Sequence, residues 1–313
     1  MERTAKLATR TRRRRLGAAA RREERELYLF IGPWLIGLVL FYAGPIVASV
    51  FMSLTEWPML SSPRWVGFAN YAEILGSDAL FGKALFNTVY YVVFSVPLGI
   101  IFALVIAILL NQKVRWLPLF RTIYYIPSLV TGVSVAVVWS WLLNPQFGLV
   151  NHFLGLIGIE GPNWLFDTKT AMPAMIIMSL WAVGGSMVIY LAGLQGIPEH
   201  LYEAAEIDGA GSWARFRNVT LPMMTPTIFF NLIMGIIGSF QTFTQFFIMT
   251  NGGPANATLT YVLYLYRAAF EFFRMGYACG LAWILFLVIL VMTLIQFWGA
   301  RYWVYYEAPA ARR

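Results

Sequence analysis

Between residues 195 and 226 the chain sets acidic, small and turn-forming residues at spacings that suit contact with another protein rather than bond making. Pro198 fits the first turn of a helix, where its missing N–H is not needed. Glu199, Glu203 and Glu206 follow at helical spacing, toward the positive end of the helix dipole. Ala204 and Ala205 are strong helix formers with almost no bulk. Gly209 and Gly211 then bracket a stop, because glycine tolerates the left-handed geometry of a helix end. Ser212 is placed to cap a second short helix over residues 213–220, which Leu221-Pro222 is expected to end. Such a helix–glycine–helix elbow is a solid knob. Its alanine face admits a close partner, and its acidic edge can pair with that partner's arginines. An amphipathic helix lying on lipid is the other reading, but that prefers a basic polar face, and the first helix here is acidic.

A second set of residues is polar within apolar surroundings. Asn231, Gly235, Gly238, Thr242 and Gln245 recur at gaps of four, three, four and three, which places them on one helix face, with Ser239 and Gln241 beside it. A weaker stripe runs through Ser179, Ala182, Ser186, Tyr190 and Gly193, flanked by Trp181, Gly184 and Gly185. In a lipid-embedded helix such residues either pack against a neighbour or line an aqueous cavity. Aromatics such as Trp181 and Phe240 could stack on a ring-shaped solute or pack against lipid.

Other chemistries find no residues. A phosphate-cradling loop needs G-x4-G-K-[ST]. Of the four lysines, Lys6, Lys83, Lys113 and Lys169, only Lys83 follows a glycine, and Ala84 comes next. The lone cysteine, Cys279, allows no disulfide within the chain, and His152 and His200 are far apart, so no metal site is expected.

The elements that must hold these residues are membrane spans. The chain is 59% hydrophobic and 12% charged, against about 45–50% and about 25% in an ordinary soluble domain. A water-soluble core of this size cannot hide so many apolar side chains. Six segments have the roughly 20 apolar residues a crossing requires: 28–54, 84–110, 119–143, 171–194, 227–250 and 276–298. None carries an acidic residue, and none carries a lysine or arginine away from its ends, which counts against proton coupling in the alternative class, a secondary transporter or channel.

With the N-terminus inside, 18 basic residues fall on the inner side and five on the outer, so both termini are expected in the cytoplasm. Residues 1–27 form a basic tail with ten of the 23 basic residues, read as lying next to anionic lipid and not as a nucleic-acid arm. Residues 28–303 form the membrane domain and 304–313 a short cytoplasmic tail. The segment 28–54 is too long for a leader's apolar core and reads as a retained first span. The outer loops near 56–83, 144–170 and 251–275 are rich in Pro, Gly and aromatics and suit a lid, a docking surface or plain connection.

The elbow also carries a resemblance. Glu203-Ala204-Ala205, three residues, Gly209, nine residues and Val219-Thr220-Leu221-Pro222 resemble the E-A-A-x3-G-x9-I-x-L-P loop of binding-protein-dependent ABC importers, with Val219 in place of isoleucine. Stretches at 193–198, 201–210, 144–148 and 250–254 are similar to the carbohydrate-uptake branch, and specifically to permeases for maltose, lactose and glycerol phosphate. The likeness covers about residues 29–307.

The resemblance implies an all-α membrane protein with the type I ABC importer permease fold, in a prokaryotic inner membrane. It implies a second, homologous permease, two ATP-binding subunits that hold ATP and Mg, and an extracytoplasmic solute-binding protein. The chain itself would bind no cofactor and would not be an enzyme. Glu203, Ala204, Ala205, Asp208, Gly209, Leu221 and Pro222 would couple to the ATPase. A sugar would sit mid-membrane near residues 179–187 and 235–242, making Ser179, Trp181, Gly184, Ser186, Gly235, Ser239, Gln241, Thr242 and Gln245 the candidate path.

Overall fold

The structure is a computed structural model that describes residues 18–112 and 115–306. Most of the basic tail, Lys113 and the last seven residues, with Arg312 and Arg313, lie outside the described residues. The chain divides into two compact units, residues 1–51 and 52–313.

The described part of the first unit is helical. Helix α1 (Ala18–Leu38) passes through a π turn, Val39–Ala43, into α2 (Gly44–Ser53). The π turn has a sequence cause. Pro45 offers no N–H, and its ring would crowd the carbonyl four residues back, so the helix widens just before it.

The second unit begins with a two-residue hairpin, β1 (Thr55–Glu56) against antiparallel β2 (Arg64–Trp65), then α3 (Ala69–Gly76). Helix α4 (Ala79–Leu110) is the long central element, and Asp78 starts it by accepting the amide hydrogens of Leu80 and Phe81 at 2.9 and 3.1 Å. Its buried positions, among them Asn87, Thr88, Tyr91, Ser95, Ala103 and Ala107, form one stripe, whereas Phe86, Phe102 and Leu109 point away from the bundle. Both faces are apolar. What marks the packed one is small and polar side chains.

Next come α5 (Leu117–Leu129) and α6 (Gly132–Leu142), bent 101° to each other, and α7 (Leu149–Leu156) in the following loop. Helices α8 (Ala171–Ser179) and α9 (Gly184–Gln195) are bent by 49°. The two segments expected as single spans, 119–143 and 171–194, are therefore broken pairs. Among the described residues, four helices are long and apolar enough to cross a membrane, or up to six if each bent pair is one span.

The elbow follows as α10 (Glu199–Ile207) and α11 (Ser212–Arg215). A π turn, Phe216–Thr220, then leads without a stop into α12 (Leu221–Phe240). Leu221-Pro222 does not end the helix as the sequence suggested. The π turn before Pro222 relieves the clash with the carbonyl of Asn218, as before Pro45. After a break at 241–243 come α13 (Thr244–Met249), α14 (Tyr261–Tyr266) and α15 (Met275–Trp303).

Helix α4 packs against α8, α9, α12 and α14, and α15 against α3, α12 and α14. Two buried clusters result. The larger lies toward α3, α8, α13, α14 and the start of α15. The smaller, around Ala103, Ala107, Met187, Tyr190 and Met224, lies toward the elbow.

Candidate functional site

The elbow is built as its residues require. Pro198 stands just before the first turn of α10, one place earlier than the helix itself. The end of α10 is a complete two-bond glycine stop: the Ala210 amide donates to Ala205 O at 2.8 Å and the Gly209 amide to Glu206 O at 2.9 Å, with Gly209 at φ +74°. Gly211, not Ser212, takes the capping position of the second helix, with no side-chain hydrogen bond. The two arms are tied by an Arg215–Glu206 ion pair and by the Tyr202 and Thr220 hydroxyls at 3.0 Å.

Each arm has an inner and an outer side. Leu201, Tyr202, Val219 and Met223 pack onto the smaller core cluster. Glu203, Ala204, Asp208 and Gly209 are exposed on the outer side, Ala205 is partly buried, and Leu221 and Pro222 lie where α12 leaves the elbow. Two large apolar residues flank the glycine turn unburied: Ile207 is 87% exposed and Trp213 is 73% exposed. The turn thus sets exposed apolar side chains beside the exposed Asp208 carboxylate. Neither apolar residue was singled out from the sequence. The signal was present, as apolar residues on either side of a predicted glycine turn.

Further along α4, α9 and α12, a cleft of about 190 Å³ opens between the helices. Of the predicted path, Ser179, Ser186, Gly235 and Ser239 line it, joined by Asn231. Helix α4 supplies Tyr91 and Ser95, which the sequence reading missed because they lie in a span without a regular polar stripe. No Asp, Glu, Lys or Arg lines it among the described residues.

The other candidates lie elsewhere. Trp181 packs its ring against Trp139, with centroids 6.3 Å apart. Gly184 lets α9 meet α5 closely, since a Cβ there would stand 2.4 Å from the Tyr124 carbonyl oxygen. Gln241 and Thr242 occupy the break after α12, and Gln245 borders the start of α6, near Gly132.

Elbow and cleft share a helix. A Cβ on Gly193 of α9 would come within 2.9 Å of Thr227 Oγ1 and 3.1 Å of the Met224 side chain, so α9 and α12 touch closely just beyond the elbow. From there α12 carries Asn231, Gly235 and Ser239 to the cleft wall.

At the opposite end of α4 the chain is pinned. Asn87 Nδ2 donates to the carbonyls of Asn256 and Leu259 at 2.8 and 3.0 Å, and the Tyr261 amide donates to Thr88 Oγ1 at 2.8 Å. These bonds hold the Asn-Gly-Gly-Pro loop, in which Asn251, Gly252, Ala255 and Asn256 all have positive φ. Asp78 accepts the Tyr264 hydroxyl at 2.5 Å and that of Tyr277. Burial raises the Asp78 carboxyl, but those hydroxyls and the Phe81 and Leu80 amides outweigh it and hold it below the usual carboxylate value.

Comparison with known proteins agrees with this architecture. Residues 95–303 match the family described as "Binding-protein-dependent transport system inner membrane component". The chain is 40% identical over 285 residues to the probable ABC transporter permease protein YesP of Bacillus subtilis (strain 168), covering 90% of this chain and 92% of that one. It is 39% identical to the lactose transport system permease protein LacF of Rhizobium radiobacter, covering 88% and 93%. A chain in the crystal structure of a bacterial alginate ABC transporter with its alginate pentasaccharide-bound periplasmic protein superposes with a TM-score of 0.79 at 23% identity, over 90% of this chain and 95% of that one. The chain thus belongs to the family of binding-protein-dependent transport inner membrane components, the multi-pass permease subunits of ABC importers, and has their type I fold.

Proposed function

We propose that this permease subunit carries a sugar or oligosaccharide into the cytoplasm, and that the elbow of α10 and α11 couples it to separate ATP-hydrolysing subunits. The observation that carries the reading is the two-sided elbow. Its inner side is packed into the core that surrounds α4, α9 and α12. Its outer side presents Glu203, Ala204, Ile207 and Trp213 to a partner.

Motion of a partner would pass through the Tyr202–Thr220 and Arg215–Glu206 ties to α12, and along α12 to the cleft. The chain has no phosphate-cradling loop, so ATP and Mg belong on two ATPase subunits, with the elbow on the cytoplasmic side. In this reading each bent pair is one span, giving six, with both termini in the cytoplasm of a prokaryotic cell. A second permease completes the cavity, and an extracytoplasmic binding protein delivers the solute at the end where α3 and α14 lie.

Three observations support sugar as the solute. LacF bears the name of a lactose permease. The cleft wall offers five hydroxyls, on Tyr91, Ser95, Ser179, Ser186 and Ser239, besides the Asn231 carboxamide. It also offers no charge to pair with a phosphate or carboxylate, which at mid-membrane would stay costly. A neutral polyhydroxyl compound fits such a lining.

The test is uptake by the full importer in proteoliposomes, with its ATPase and loaded binding protein. Glu203→Lys combined with Gly209→Pro should abolish binding-protein-stimulated ATP hydrolysis and uptake together. Unchanged stimulation and uptake would end the coupling role. Uptake that follows an ion gradient without ATP would end the importer reading for this chain.

A further inference from the structure

The loop joining α6 to α8 contains a helix that transport, as described, does not use. No Asp, Glu, Lys or Arg occurs from residue 122 through 159, so the charge-free stretch begun in α5 and α6 runs on through α7. Helix α7 packs against α6. The polar groups of the loop are turned toward one another. Asn144 Oδ1 accepts the amides of Gln146 and Phe147 at 2.9 and 3.3 Å. Asn151 Oδ1 accepts the Trp164 indole N–H at 2.7 Å, and Asn151 Nδ2 donates to Pro162 O at 3.2 Å. The returning chain presses close here, since a Cβ on Gly161 would stand 2.1 Å from Asn151 Oδ1.

These bonds fix which side of α7 faces the protein. Val150, Asn151 and Leu154 are partly buried. Leu149, Phe153 and Leu156 share the opposite side at helical spacing, and Phe153, Leu156 and Ile157 are 62, 68 and 70% exposed. Val133, Val137, Val138 and Trp141 of α6, the helix that α7 packs against, are exposed as well.

We infer that α7 is an interfacial membrane anchor, lying in the headgroup–acyl boundary on the side opposite the elbow, with Phe153, Leu156 and Ile157 in the acyl region. A lipid surface is the partner this chemistry fits. The stripe is apolar and no charge lies in it or beside it from residue 122 through 159, whereas a separable protein contact carries a polar, charged rim. Trp141, exposed at the end of α6, is the kind of side chain that settles at the headgroup level of a bilayer. Seated this way, α7 would fix the outer end of the bent α5–α6 pair relative to the membrane.

The experiment uses the assembled importer in lipid nanodiscs, with Cys279→Ala as background and single cysteines at Phe153, Leu156 and Glu160 carrying a bimane label. Labels at 153 and 156 should be quenched severalfold more by a nitroxide on the lipid than the label at 160, and less by aqueous iodide, with or without binding protein. Equal access of iodide to all three labels overturns the inference. So does shielding at 156 that appears only with the loaded binding protein, or cross-linking of 156 to the second permease. As a label-free check, Leu156→Asp should raise amide hydrogen exchange over residues 149–156 while uptake-competent assembly persists. Unchanged exchange would count against the anchor.

Discussion

Glu73 of α3 and Arg274 at the start of α15 meet in a two-pronged ion pair, Nη1 to Oε1 at 2.8 Å and Nη2 to Oε2 at 2.5 Å, bridging 201 positions of sequence. The guanidinium also lies over the Tyr277 ring, 4.3 Å from its centroid. Arg274's hydrogen bonding holds the Glu73 carboxyl below its ordinary value against the opposing effect of burial. The two side chains are 46 and 42% exposed, so water screens the pair, and its worth is about 0.2–1 kcal/mol. A depressed carboxylate stabilises above its unfolded pKa, and that contribution is lost as pH falls through the folded pKa. Glu73→Gln should therefore lower the melting midpoint of the purified importer by about 2–4 °C at most at neutral pH. The difference from the parent should shrink on acidification, as a melt series across pH would show.

Asp78 has more at stake. Its carboxylate starts α4 and also receives hydroxyls from α14 and α15, so one side chain joins three elements. Burial, then the hydrogen bond to Asp78, raises the Tyr264 phenol to about 12, so that hydroxyl remains a donor throughout the accessible range. Asp78→Asn keeps an acceptor for the cap but turns an NH₂ toward a phenol. A cost of about 1–2 kcal/mol follows, since hydrogen bonds to a charged acceptor exceed neutral ones. The depressed pKa places the parent's acid loss below the usual aspartate value. Melts between neutral pH and pH 3 should show a shallower acid limb in the variant, and identical limbs would remove Asp78 from the account.

Two glycines should respond to alanine in opposite ways. At Gly209 the backbone is left-handed, but no atom lies within 4 Å of where a Cβ would go. The cost is backbone strain alone, about 1–2 kcal/mol. At Gly276 a Cβ would fall 1.8 Å from the Thr55 carbonyl oxygen, a contact with backbone that no rotamer relieves. Gly209→Ala should assemble at close to normal yield, while Gly276→Ala should fail to give folded importer. Comparable yields in a membrane-extraction assay would contradict this.

The contrast between those glycines also shows what the sequence made legible. Gly209 could be read because a local stop needs only local residues: the helix before it, the glycine and the restart. Gly276 could not, because its constraint is a carbonyl more than two hundred positions away. The same division runs through the chain. The apolar segments were evident from composition, but the bends at Val130-Thr131 and Val183 were not, since periodicity reports exposure to water and both faces of a membrane helix are apolar. Tyr91 and Ser95 stayed hidden for a related reason: on α4 the packed face is marked by small and polar residues dispersed among valines and phenylalanines.

The cleft offers a sharper comparison than the sequence alone allowed. Ser239 lines it, whereas Thr242, three residues on, sits in the break between α12 and α13. Ser239→Trp should fill much of a volume of about 190 Å³ and block sugar uptake while leaving assembly and the elbow intact. Thr242→Trp should reduce uptake far less. Equal loss in both, at equal assembly, would separate the cleft from the transport path.

The elbow's outer side yields the most demanding prediction. Ile207 and Trp213 stand on either side of the Gly209 turn, and their exposure has no use within the chain. If an ATPase groove receives them, each is an anchor of the kind that dominates an interface, where truncation costs about 2–4 kcal/mol. Trp213→Ala should then weaken retention of the ATPase during purification by about 30-fold or more, and Ile207→Asp should do so too, by burying an unpaired charge. Folding should be spared, because neither side chain contributes to the inner cluster that holds Tyr202 and Met223. Glu206→Gln provides the internal control. It breaks the tie to Arg215 within the elbow, so it should leave ATPase retention nearly intact and lower the fraction of ATP hydrolysis that drives uptake. If retention proves insensitive to Trp213 and Ile207 but collapses with Glu206, the partner reads the charged edge and not the apolar tip.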